Sequence, residues 1–225
     1  DMKARNRFYL LLTAALLLFG AVASSWAFTI PDTGQAKCYV GGTEVACAGT
    51  GQDGAYIINP MSYTDNRNGT ITDNVTGLLW QQTKSPTTHH WYPWYNGVRV
   101  TTAGEYCGSL SLGGKSGWRL PSKKELVSII DLGTVSGIAI NTTYFQDKTG
   151  YEVWSSTIPG IDPGNMAWTV GFDRVDIDRC RDQYASSTLV RCVHGEQSST
   201  SFTDNGNGTV TDVTTGLMWQ QGTGE

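Results

Sequence analysis

The stretch His89-His90-Trp91-Tyr92-Pro93-Trp94-Tyr95 places four aromatic rings and two imidazoles around one proline. Flat aromatic faces on a loop can stack against sugar rings or a protein partner, and the same rings can instead cover a domain's own core. Two other places carry ligand chemistry. Gly160-Ile161-Asp162-Pro163-Gly164-Asn165 sets a carboxylate and a carboxamide on a turn-rich loop between strand-like segments. Asp173-Arg174-Val175-Asp176-Ile177-Asp178 offers three carboxylates to a cation, or alternating charges to solvent along a strand. The candidate ligand-binding residues are therefore Trp91, Tyr92, Trp94, Tyr95, Asp162 and Asn165.

Catalytic chemistry finds little to use. The histidines are His89, His90 and His194, and no Gly-x-Ser-x-Gly, Cys-x-x-Cys or His-Glu-x-x-His occurs. The expectation is a protein that is not an enzyme. An EF-hand loop needs oxygen ligands at positions 1, 3 and 5, but counting from Asp65 the third and fifth positions are Arg67 and Gly69. The Asp and Asn side chains there read as turn caps. No cofactor is implied; calcium stays open, without a motif that selects it.

Five cysteines bring oxidative chemistry into view. Cys38 and Cys47 flank a Gly41-Gly42 turn, so a local bridge across a hairpin is the simplest pairing. Cys107 and Cys192 lie far apart, and a bridge between them would close a long loop. Cys180 is then left over, either as a buried free thiol or as the partner of another molecule.

The elements that must position these groups follow from period and punctuation. Tyr63-Thr64-Asp65 and Thr70-Ile71-Thr72-Asp73 are β-prone runs joined through Asn68-Gly69, and Thr76-Gly77 turns the chain into Leu78-Leu79-Trp80: a three-stranded meander. Ala103, Tyr106, Cys107 and Leu110 recur at helical spacing. Ser122 and Glu125 form a capping box before a helix whose apolar face is Leu126, Ile129 and Ile130, with Gly133 as its stop. Strands follow at Val153–Ser156, Met166–Phe172 and Leu189–Val193. Two helices between an early meander and late strands predict an α+β domain. The meander phrase then returns: Ser62–Gln82 and Ser201–Gln221 share 15 of 21 residues at an offset of 139. So large an offset makes the unit a whole domain, which reads the terminal copy as the truncated start of a second one.

Lys3, Arg5 and Arg7, the apolar run Phe8–Val22 and the small residues up to Ala27 have the layout of a secretory signal peptide over residues 1–27. Fifteen apolar residues fall short of the ~20 that span a bilayer. Without Lys3, Arg5, Arg7 and Asp1, the 16 basic and 20 acidic residues become 13 and 19, a net charge of about −6. That argues against nucleic acid as a partner, since such binding rests on neutralising phosphates.

"GTITDNVTGLLW", "YCGSL", "GWRLPSKKEL", "VWSST", "AWTVGF" and "VRCV", in that order, resemble the Lcl C-terminal domain family, the domain of the Legionella collagen-like adhesin. The resemblance covers about residues 62–195. It implies a C-type-lectin-like grouping, in which a cysteine on the first helix bridges to the last strand, as Cys107 and Cys192 would. It also implies attachment to sulfated glycans, which would need clustered cations; the densest basic group here, Arg174, Arg179, Arg181 and Arg191, is interleaved with aspartates. The layout expected is a signal peptide (1–27), a Gly-rich preamble with a small disulfide hairpin (28–60), an α+β C-type-lectin-like domain with two short helices and antiparallel strands (61–197), and a truncated repeat (198–225). The function expected is an exported recognition module, secreted, on the cell surface or periplasmic. Its partner would be an extracellular glycan or surface protein. The alternative is a spacer or filament subunit that self-associates through tandem domains.

Overall fold

The computed structural model describes residues 29–134, 137–146, 152–160, 166–173, 176–182, 186–196, 201–213 and 216–222. The proposed leader lies outside the described residues, among which no helix is long and apolar enough to cross a membrane.

The chain opens with β1 (Cys38–Val40) and β2 (Thr43–Val45), a hairpin closed by the Cys38–Cys47 disulfide. The first meander is β3 (Tyr63–Asp65), β4 (Thr70–Asp73) and β5 (Leu79–Gln81). Three two-residue strands follow, β6 (His89–His90), β7 (Trp94–Tyr95) and β8 (Val98–Arg99), and then α1 (Ala103–Ser109) and α2 (Lys123–Val127). The late strands are β9 (Glu152–Trp154), β10 (Met166–Gly171), β11 (Asp176–Asp182), β12 (Ser187–Thr188) and β13 (Val193–His194). Last comes a second meander, β14 (Phe202–Asp204), β15 (Thr209–Asp212) and β16 (Met218–Gln220).

The expected α+β, C-type-lectin-like class is not what forms. The strands build several small antiparallel sheets, and the helices are only seven and five residues long. Both begin as a helix should, with complete capping boxes at Thr102/Glu105 and Ser122/Glu125. Their ends differ from the sequence reading. The Ser128 hydroxyl donates to the Glu125 carbonyl at 2.7 Å, and beyond it the backbone is drawn into tertiary bonds: Asp131 N–H to Ala139 and Leu132 N–H to Thr33. Ile129 and Ile130 are still buried, but from a turn. Gly133 does not stop a helix; it lets the Thr33–Gly34 arm approach, and a Cβ there would collide with the Gly34 carbonyl oxygen.

The sheet that organises the rest runs β13-β5-β4-β3. It lays Tyr63, Ile71 and Trp80 against Leu126, Ile129 and Phe145 in the larger core. A smaller core gathers Cys107, Trp118, Trp154, Val190 and Cys192 around the Cys107–Cys192 disulfide, whose Cα atoms are 5.5 Å apart. Both expected bridges, the hairpin pair and the helix-to-last-strand pair that the resemblance implies, are therefore present. The single strand expected over Leu189–Val193 is broken, because side chains take its backbone groups: Val190 N–H donates to Ser85 Oγ at 2.9 Å and Cys192 N–H to Gln81 Oε1 at 3.0 Å. Cys180 pairs through its backbone with Trp168.

Candidate functional site

The aromatic stretch runs through β6 and into the β7–β8 hairpin, and β6 lies beside the start of α1, where His90 bridges to Thr102. Asn96 (φ 49°) and Gly97 (φ 77°) both take left-handed backbone and so make the tight turn of the β7–β8 hairpin. The Asn-Gly pair carries that hairpin signal, which the sequence reading missed. On the other side, β6 pairs with β12, Ser187 opposite His90 and Thr188 opposite His89.

The rings divide into anchors and platform. Trp91 is half-buried, packs on the smaller core and donates its indole N–H to the Ser155 carbonyl at 2.9 Å. Trp154, fully buried, does the same to the His89 carbonyl at 2.7 Å. His89 lies against the Tyr106 ring at 4.6 Å, and burial, the largest cause, pushes its pKa below the ordinary imidazole value. Tyr92 is half-buried. Tyr95 is the platform: 38% exposed, it stacks on His90 with centroids 4.4 Å apart and planes 23° from parallel. The hairpin positions the Trp94 backbone opposite Arg99. Arg99 pairs with Glu105 on the exposed surface, and that hydrogen bond, before all other causes, draws the carboxyl down to about 2. The structure thus places Trp91, Tyr92 and Tyr95 in one region. Asp162 and Asn165 lie outside the described residues.

Other groups singled out by type are committed to the fold. Asp65 accepts from Arg67 N–H at 2.8 Å, and Asp73 from Val75 and Thr76 N–H at 2.9 and 3.1 Å, so these carboxylates cap turns. Among the described residues no group of three His, Cys, Asp or Glu side chains is arranged to hold a metal ion. Arg181 forms a two-point pair with Glu152, at 2.8 and 2.5 Å. Arg191 is buried, donating to the Gln81 and Gln82 carbonyls at 2.7 and 2.8 Å, with its guanidinium 4.8 Å from the Phe145 ring centre. Burial presses its pKa down, but two carbonyl acceptors and a ring face stabilise the cation. It is thereby removed from any surface patch for sulfate.

The "GWRLPSKKEL" segment also turns out to be architecture. Arg119 grips Glu125 in a two-point pair, at 2.9 and 2.7 Å, while Glu125 caps α2 through Ser122 N–H at 2.8 Å. Glu125 is fully buried, and the Arg119 backbone exchanges two hydrogen bonds with Val193. An arginine six residues before a capping-box glutamate was the available signal.

The family model described as the Lcl C-terminal domain matches residues 69–194, more than half of the chain. No curated protein and no solved structure matches.

Proposed function

This chain belongs to the Lcl C-terminal domain family, and from that premise we propose that it is a non-enzymatic extracellular recognition module that holds carbohydrate through the aromatic β6–β8 segment. Membership in a family of collagen-like adhesins supports an adhesin-like, extracellular role, and two disulfides are compatible with it. The observation that carries the ligand class is Tyr95, a half-open ring held flat on His90 by a tight hairpin. A ring fixed before binding loses little freedom on stacking against a sugar face. The same layout supports reading residues 28–60 as preamble, 61–197 as the binding domain and the terminal meander as a further start of that domain.

The test is a glycan array probed with the whole chain and with Tyr95→Ala, each with and without calcium. Tyr95→Ala should weaken binding at least tenfold with an unchanged thermal midpoint. No bound glycan, or equal binding by both proteins, would overturn the reading. A spacer or array subunit is the second reading, favoured by the uncovered Phe202, Met218 and Trp219 of the terminal meander. Concentration-dependent assembly in sedimentation, lost in Trp219→Ala, would support it.

A further inference from the structure

The described residues hold one core that binds a meander, and two meanders. In the first, β5 lies along β13, with Val193 opposite Trp80 and His194 opposite Leu79. The Gln81 N–H donates to the Cys192 carbonyl at 3.0 Å, and the Arg191 guanidinium reaches the carbonyls of Gln81 and Gln82. The meander side of this interface recurs in β14–β16. Met218, Trp219, Gln220 and Gln221 stand where Leu79, Trp80, Gln81 and Gln82 stand, in the same register against the middle strand. Among the described residues β16 pairs only with β15, and Trp219 is 54% exposed where Trp80 is fully buried.

We propose that β14–β16 is an interaction surface for the site Trp80 occupies, the β13 edge and pocket of this chain's own core, so that either meander can close it. The first meander's interface defines the partner, since it shows what covers this face when it is covered. The geometry allows reach. In the order β13-β16-β15-β14, β14 would lie about 14 Å from β13 at strand spacings of ~4.8 Å. It would run antiparallel to β13 and start at the end where β13 finishes. A connection of seven residues can span at most roughly 24 Å, enough for that distance, so the tether favours the chain's own core over a second copy. The first meander prevails because Ile71, fully buried, becomes Val210 in the second, one methylene fewer in a packed site.

The test uses the full chain with Trp80→Ala, Trp219→Ala, both together, and Val210→Ile with Met218→Leu. Emptying a Trp-sized pocket is far more destabilising than losing one methylene, so Trp80→Ala should move the core onto Trp219. Expected results are at least tenfold slower hydrogen exchange in β15 and β16 of Trp80→Ala, a monomeric mass, and a lower denaturation midpoint in the double variant than in Trp80→Ala. Trp219→Ala alone should keep the wild-type midpoint. Val210→Ile with Met218→Leu, which leaves the first meander intact, should raise β15–β16 protection without unfolding anything. Unchanged exchange in that variant overturns the proposal, as does equality of the double and single variants. Protection gained only in a dimer overturns the choice of the chain's own core.

Discussion

Lys84, just after the first meander in sequence, is buried within electrostatic reach of Arg191. Burial first, and then the Arg191 charge, lowers its pKa to about 8 from 10.5. Between those values the unfolded chain holds a proton that the folded one has released, so stability rises with pH across that window. The penalty of burying the ammonium is complete below it. Denaturation midpoints measured between pH 7.5 and 10.5 should therefore climb by more in the wild type than in Lys84→Met, where no such group titrates. Glu125 makes the opposite case for charge. It is enclosed, with Arg119 its two-point partner, and removing one member of a buried pair typically costs about 3–5 kcal/mol. Arg119→Ala should lose that much in chemical denaturation. Arg99→Ala, at an exposed pair, should lose nothing measurable.

At the scale of elements, starts were legible and ends were not. Ser122 and Glu125 announced α2 because a capping box is local, four residues satisfying each other's backbone groups. The same pattern at Thr102 and Glu105 was there to be read. Each cap should be worth about 1 kcal/mol, measured as the midpoint loss in Ser122→Ala and Thr102→Ala. The α+β expectation failed at the other end of the helices. Ile129 and Ile130 keep helical spacing, but the backbone beyond Ser128 bonds to Thr33 and Ala139, partners that no local pattern names. The disulfides separate by loop length. Cys107–Cys192 spans 85 residues and Cys38–Cys47 spans 9. In the chain-entropy model those loops are worth roughly 4.6 and 2.6 kcal/mol. Cys107→Ser with Cys192→Ser should therefore lower the midpoint further than Cys38→Ser with Cys47→Ser.

Across the whole molecule, protection should follow what covers each sheet. The first meander has β13 on its edge and the larger core on its face. The terminal one leaves Phe202, Met218 and Trp219 open. Local opening follows covered apolar surface, so backbone amides of Ile71 and Trp80 should exchange with solvent orders of magnitude more slowly than those of Val210 and Trp219. Equal rates at the two tryptophans would mean that the terminal meander is covered in solution. The candidate site shows the same division: its aromatic composition was readable, but which ring anchors and which faces outward depended on where Ser155 and His90 fell.

The repeated phrase separates the two kinds of information. In both copies the Asn carboxamide donates to two threonine hydroxyls: Asn66 to Thr70 and Thr72 at 3.0 and 2.9 Å, and Asn205 to Thr209 and Thr211 at 2.9 and 3.0 Å. In both the aspartate caps the turn at 2.8 Å, Asp65 to Arg67 N–H and Asp204 to Gly206 N–H. Strand register is also the same. The turns and the register of the meander are thus set by the phrase itself, because these bonds close within its 21 residues in both copies. Whether its tryptophan is buried was decided elsewhere. Trp80 is enclosed because Leu126, Phe145 and Val193 arrive from distant parts of the chain, whereas the identical Trp219 stays open. Burial is a property of the surfaces that meet, and a local sequence specifies only one of them.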